Sequence, residues 1–182
     1  MENKEYLDKF EEGIHKAVYL LLLRGNLIDE RMPDMPDIDS QWESIATEYL
    51  PDGIREFQNY PLVSLGWMMY VGMAVAHLWD KDWVKALGAG NLYTYMRSLR
   101  GYDLMDEAIR EKVLNLKGEK YNAVEKIVGN CSQTALDILR KENIEPGTPM
   151  AFHAYLRTLK EMYRLGAATE LFRLGYRMRL MS

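Results

Sequence analysis

The residues best placed to do chemistry are His77 and the acidic and aromatic side chains that follow it. The run reads His77-Leu-Trp79-Asp80-Lys-Asp82-Trp83. At helical spacing Asp80 lies one turn beyond His77, and an imidazole beside a carboxylate is the usual arrangement for a tuned acid or base. Tyr70 shares a strip with His77 two turns earlier. Trp79 and Trp83, four residues apart, flank the two aspartates and could line an aromatic pocket for a cationic or planar ligand. Tyr70, His77, Trp79, Asp80 and Trp83 are therefore the candidate ligand-binding residues. The competing structural interpretation is that His77 bonds a backbone carbonyl or a tyrosine hydroxyl near the end of a buried helix, while the tryptophans seal a core and the aspartates face water. Structural use is the commoner fate of such residues, so no catalytic residue is assigned.

Other motifs fall short of a chemistry. His15, His77 and His153 lie on three separate expected helices. Glu12 and His15 have the spacing of a carboxylate-bridged di-iron ligand pair, but that site needs a second Glu-x-x-His, and the chain has none. No His-x-x-x-His pair is present, and no metal or cofactor is expected. Asp34, Asp37 and Asp39 lack the glycine and glutamate of a calcium loop. Leu87-Gly-Ala-Gly lacks the lysine of a phosphate loop. Cys131, the only cysteine, falls on the inward stripe of its helix and reads as an inert core thiol in a reducing compartment.

The element that must position His77 is the stretch around it. From Leu62 to Trp79 no side chain is ionised, and Ser64 and His77 are the only clearly polar groups. On a helix its apolar residues cover every direction. Such a helix is either the buried centre of a helical protein or a membrane span. The acidic flank at Asp80 and Asp82, the missing basic clusters and the amphipathic neighbouring segments favour the core, so no membrane contact is expected and the membrane-associated alternative ranks below.

Around this centre, amphipathic periodicity predicts helices over about Glu5–Arg24, from Trp42 to a stop at Pro51, and over Asn91–Arg100, Leu104–Leu116, Glu119–Glu142 and 149–181. Ser40 with Glu43 reads as a capping box, Asp103 as a cap, and residues 26–39, with Pro33 and Pro36, as an acidic loop. In the last helix the apolar stripe from Phe152 to Tyr163 gives way after Gly166 to Leu171, Leu174 and Met178 on another face. This predicts either a break near 166–169 or a new packing partner there, such as a second copy of the chain. Tyr163-Arg-Leu-Gly166 resembles Phe172-Arg-Leu-Gly175, but four residues do not establish a duplication. No segment alternates as a strand does. The expected fold is one all-α domain, a bundle of six to eight helices around residues 62–79.

Charge is uneven along the chain. Residues 1–60 carry −8, residues 61–148 balance, and residues 149–182 carry +4, for a total of −4. The ends can attract each other, or the basic last helix can serve an anionic partner. The overall acidity argues against nucleic acid. The N-terminal segment lacks an apolar leader, which points to the cytoplasm. Together these features favour a non-catalytic interaction or assembly role as a homo-oligomer. The alternative is a small-molecule binder or enzyme with a pocket at the C-terminal end of the central helix.

Overall fold

The computed structural model describes residues 2–177. Its helices are α1 (Glu2–Arg24), α2 (Pro36–Asp39), α3 (Trp42–Asn59), α4 (Pro61–Gly88), α5 (Leu92–Arg100), α6 (Met105–Ala108), α7 (Gly118–Lys141) and α8 (Pro149–Arg173). A π-helical turn, Ile109–Val113, continues α6, and no strand occurs among the described residues.

The apolar stretch forms the centre of α4. Residues from Leu65 to Ala76 are almost all buried, and α3, α5, α7 and α8 pack around α4, with α1 lying outside on α7 and α8. By length and composition α4 could also cross a bilayer; 67% of its most apolar window is buried inside this chain. Its closest neighbour is α8, and a glycine on each helix sets the approach. A Cβ on Gly72 would lie 2.0 Å from the carbonyl oxygen of Tyr163, and one on Gly166 would lie 2.3 Å from that of Met69. Only glycine lets the two backbones touch there.

Several polar groups inside the bundle bond one another or backbone carbonyls across elements. Ser64 Oγ donates to the Gly53 carbonyl at 2.8 Å and bonds the Tyr155 hydroxyl, while the Tyr49 hydroxyl donates to the Ser64 carbonyl. Tyr163 reaches from α8 to donate to the Ile38 carbonyl at 2.6 Å, tying α2 to the core. Arg110, on the π turn, is 1% exposed. It pairs with Asp106 at 2.9 Å and Glu125 at 3.2 Å, and its guanidinium lies over the Tyr121 ring 4.0 Å from the centroid.

Several boundaries differ from the sequence expectation. Helix α8 is continuous through Gly166–Thr169 and ends at Arg173, because residues from Glu161 to Leu171, apart from Arg164, are buried within this one chain. The moving stripe reflects a helix covered on several faces by α1, α4 and α7, not a break. Met178 and the last positions of the expected helix lie outside the described residues. Pro51 is inside α3, since its ring is exposed and the inward residues Ile45, Ala46, Tyr49 and Gly53 hold both halves to the core. Ser40 is no N-cap, because its hydroxyl donates to the Asp37 carbonyl at 2.7 Å. Asp103 does not cap α6 either; its N-cap position falls at Leu104 and carries no side-chain bond. Residues 36–39, expected in the loop, form the turn α2.

The two ends do pack together. Arg157 on α8 pairs with Asp8 at 2.8 Å and Glu11 at 2.9 Å on α1, and Arg164 pairs with Asp39 at 3.1 Å.

Candidate functional site

The five residues singled out at the end of α4 have different neighbours from one another. Tyr70 is buried, edge-on to Trp67 and beside Arg110. His77 is half-buried, and its Nδ1–H donates to Glu170 Oε2 of α8 at 2.8 Å. Arg173 holds the same carboxylate through both oxygens, at 2.6 Å each. Trp79 donates to the Asp37 carboxylate at 3.0 Å, and Asp80 accepts from the Tyr176 hydroxyl. Trp83 packs against the edge of the core. His77 therefore answers to a glutamate distant in sequence, and Asp80, the carboxylate one turn on, has another partner.

Helix α4 also changes direction within this segment. Asp82 leaves helical geometry (φ −170°, ψ 92°), and its carboxylate accepts the backbone N–H of Lys85 at 3.1 Å, capping a last short turn. A cavity of about 200 Å3 lies beside this break, lined by Leu78, Ala86, Ala89, Leu92 and Tyr95 with Lys81, Asp82 and Lys85. The end of the central helix thus has a cavity, but none of the five candidates lines it.

A dense group of titratable side chains lies elsewhere, in an open cleft of about 680 Å3 between α1 and α8. From α1 come Asp8, Glu11, Glu12 and His15, from α8 Arg157, Lys160, Glu161 and Arg164, and from the intervening loop Met32. Helical spacing explains the α1 wall, since residues 8, 11, 12 and 15 fall on one face. At its base Glu161, with a side chain 3% exposed, accepts from His15 Nδ1–H at 2.7 Å. Glu11, 16% exposed, shares a hydrogen bond with the same carboxyl group.

Two carboxyl groups can share a hydrogen bond only if one holds a proton. Of the two, Glu11 is the one held above the usual glutamate range. Burial, then its hydrogen bond to Glu161 and the charge of that carboxylate, push Glu11 up to about 7 against the opposing pull of Arg157 and Lys160. Burial works the same way on Glu161. It is outweighed there by hydrogen bonds from His15 and Glu11 and by the charges of His15 and Arg164, which hold Glu161 below the usual range. No protein-family model matches the chain, and neither a characterised protein nor a solved structure matches it. Any functional statement must therefore rest on these side chains.

The arrangement can hold a proton, pass it between Glu11 and Glu161, or exchange it for another cation. Among the described residues no group of three or more His, Cys, Asp and Glu is disposed to hold a metal ion. Cys131 is buried, and burial pushes its thiol up to about 12, so it is no nucleophile at neutral pH.

Sequence reasoning paired His15 with Glu12, which instead bonds Lys16 at 2.8 Å in water. A better signal was present in α8. The short similarity there extends backwards, to Glu161-Met-Tyr-Arg-Leu-Gly166 and Glu170-Leu-Phe-Arg-Leu-Gly175. Each copy begins with a buried glutamate that accepts from a histidine and has an arginine three residues on. The copies lie nine residues apart, two and a half turns, so they face opposite sides of the helix, one towards α1 and one towards α4.

Proposed function

We propose that the protein binds a small organic cation, an ammonium-bearing ligand, in the α1–α8 cleft. The observation that carries this is that Glu11 and the buried Glu161, two acids that perturb one another, both line one open cleft. Two such neighbouring acids, one of them almost fully buried, cost a fold stability unless positive charge or a proton offsets them. An ammonium replaces that proton and satisfies both carboxylates through charge-assisted hydrogen bonds. Strongly perturbed acids in clefts are also where binding and acid–base sites concentrate.

The opposite wall narrows the ligand further. Arg157 is engaged by Asp8 and Glu11, and Arg164 by Asp39, whereas Lys160 has no ion-pair partner among the described residues. An acidic group on the ligand would meet Lys160, so amino-acid-like zwitterions fit better than plain amines.

Calorimetric titration of the full-length protein with a linear aliphatic amine, a matching ω-amino acid and the corresponding neutral alcohol tests this. The amino acid should bind most tightly and the alcohol not at all. Because the cation displaces a proton, affinity should rise up to about tenfold per pH unit below pH 7 and level off above it. Binding of the alcohol equal to that of the amine, or affinity that ignores pH, would contradict the assignment.

A further inference from the structure

The cavity at the break in α4 is a separate feature that the ammonium site does not use. Its lining is mainly apolar, made by Leu78, Ala86, Ala89, Leu92 and Tyr95, and the exposed Lys81 and Lys85 contribute to it. No acidic side chain among the described residues forms an ion pair with either ammonium. The one carboxylate in the lining, Asp82, is turned onto the backbone N–H of Lys85 by its capping role. That cap keeps the last turn of α4 out of line with the rest of the helix. The cavity is therefore built into the chain's course, with α5 as its other wall. At about 200 Å3 it lies below the range of about 300–1,000 Å3 that takes drug-sized ligands, so its occupant is small.

We infer that this cavity takes the hydrocarbon tail of a medium-chain carboxylate, with the carboxylate held between Lys81 and Lys85. An apolar recess supplies most of the binding free energy, and two uncommitted ammonium groups on either side of the break at Asp82 supply orientation and the choice of charge. The small side chains of Ala86 and Ala89 leave the space the tail fills. The inference is independent of the α1–α8 cleft, and either site can fail without the other.

The test is a titration of the full-length protein with butanoate, hexanoate and octanoate. It is followed by calorimetry and by the methyl resonances of Ala86, Ala89 and Leu92, with octan-1-ol as the neutral probe. Saturable one-to-one binding should shift those methyls, and affinity should rise about fourfold per added methylene until the cavity is full. Ala89→Phe, which puts a ring into the cavity from an exposed position, should weaken octanoate at least tenfold. The double variant Lys81→Glu/Lys85→Glu, at two exposed positions, should do the same while leaving octan-1-ol binding unchanged. Near-ultraviolet circular dichroism confirms that both variants stay folded. The inference is overturned if octan-1-ol binds as tightly as octanoate, if Ala89→Phe binds octanoate like the wild type, or if none of the carboxylates binds.

Discussion

Glu11 carries a proton at a pH where most glutamates have lost theirs, and this has a definite sign for stability. With its carboxyl pushed up to about 7, the folded chain holds a proton that the unfolded chain releases near 4.5. Between those values the native state binds more protons than the unfolded state, so this group's contribution to stability falls as pH rises and has been lost above pH 7. Glu11→Gln keeps the neutral shape and removes the titration. Urea midpoints measured from pH 5 to pH 8 should decline for the wild type relative to the variant, and the variant should be the more stable protein at pH 8. The buried hydroxyl of Ser64 offers a second residue-scale test. Ser64→Ala strips a partner from the Gly53 carbonyl and from the Tyr155 hydroxyl, and chemical denaturation should show a loss of about 1–3 kcal/mol. Neither role was legible beforehand. Ser64 could be seen only as a polar interruption in an apolar helix, and the link between Glu11 and Glu161 spans almost the whole chain. The paired Glu-x-x-Arg segments of α8 were the available clue, and they gain meaning only once each glutamate is seen to be buried against a histidine.

Among the elements, the crossing of α4 and α8 makes the sharpest demand. In an ordinary helix interior Gly→Ala stabilises by about 1 kcal/mol. Here Gly72→Ala and Gly166→Ala should reverse that sign and each cost about 3 kcal/mol, since the added methyl meets a backbone carbonyl that cannot rotate away. The cap at the α4 break is a milder case. Asp82→Ala should lose about 1 kcal/mol in the same assay, with Asp82→Asn close to wild type. The identity of the helices was largely readable from periodicity, because amphipathic stripes report burial directly. Their ends were read less well. Pro51 looked like a terminator, but proline removes one backbone donor on an exposed face while Ile45, Ala46, Tyr49 and Gly53 remain buried on the other. In α8 two displaced stripes suggested a break, whereas a straight helix embedded among three neighbours buries more than one face.

For the molecule as a whole, the charge gradient from an acidic N-terminal third to a basic C-terminal helix left open whether the ends would pack together or serve an anionic partner; in the fold Arg157 pairs with Asp8 and Glu11 on α1 and Arg164 with Asp39 on α2. The gradient did not indicate that the meeting would leave a cleft, because that depends on which side chains stop short of one another. The core itself should behave as one cooperative unit. Cys131, buried on α7, should resist a thiol reagent in native buffer and react at the rate of global unfolding, as measured in parallel by circular dichroism. The proposed ammonium site rests on a single electrostatic feature, the raised Glu11 carboxyl in the α1–α8 cleft, and carbon-detected NMR titration of that carboxyl reads it directly. A midpoint near 7 that moves down when a saturating amine is added is the predicted result. A midpoint near 4.5, or one near 7 that the amine leaves in place, would contradict the account.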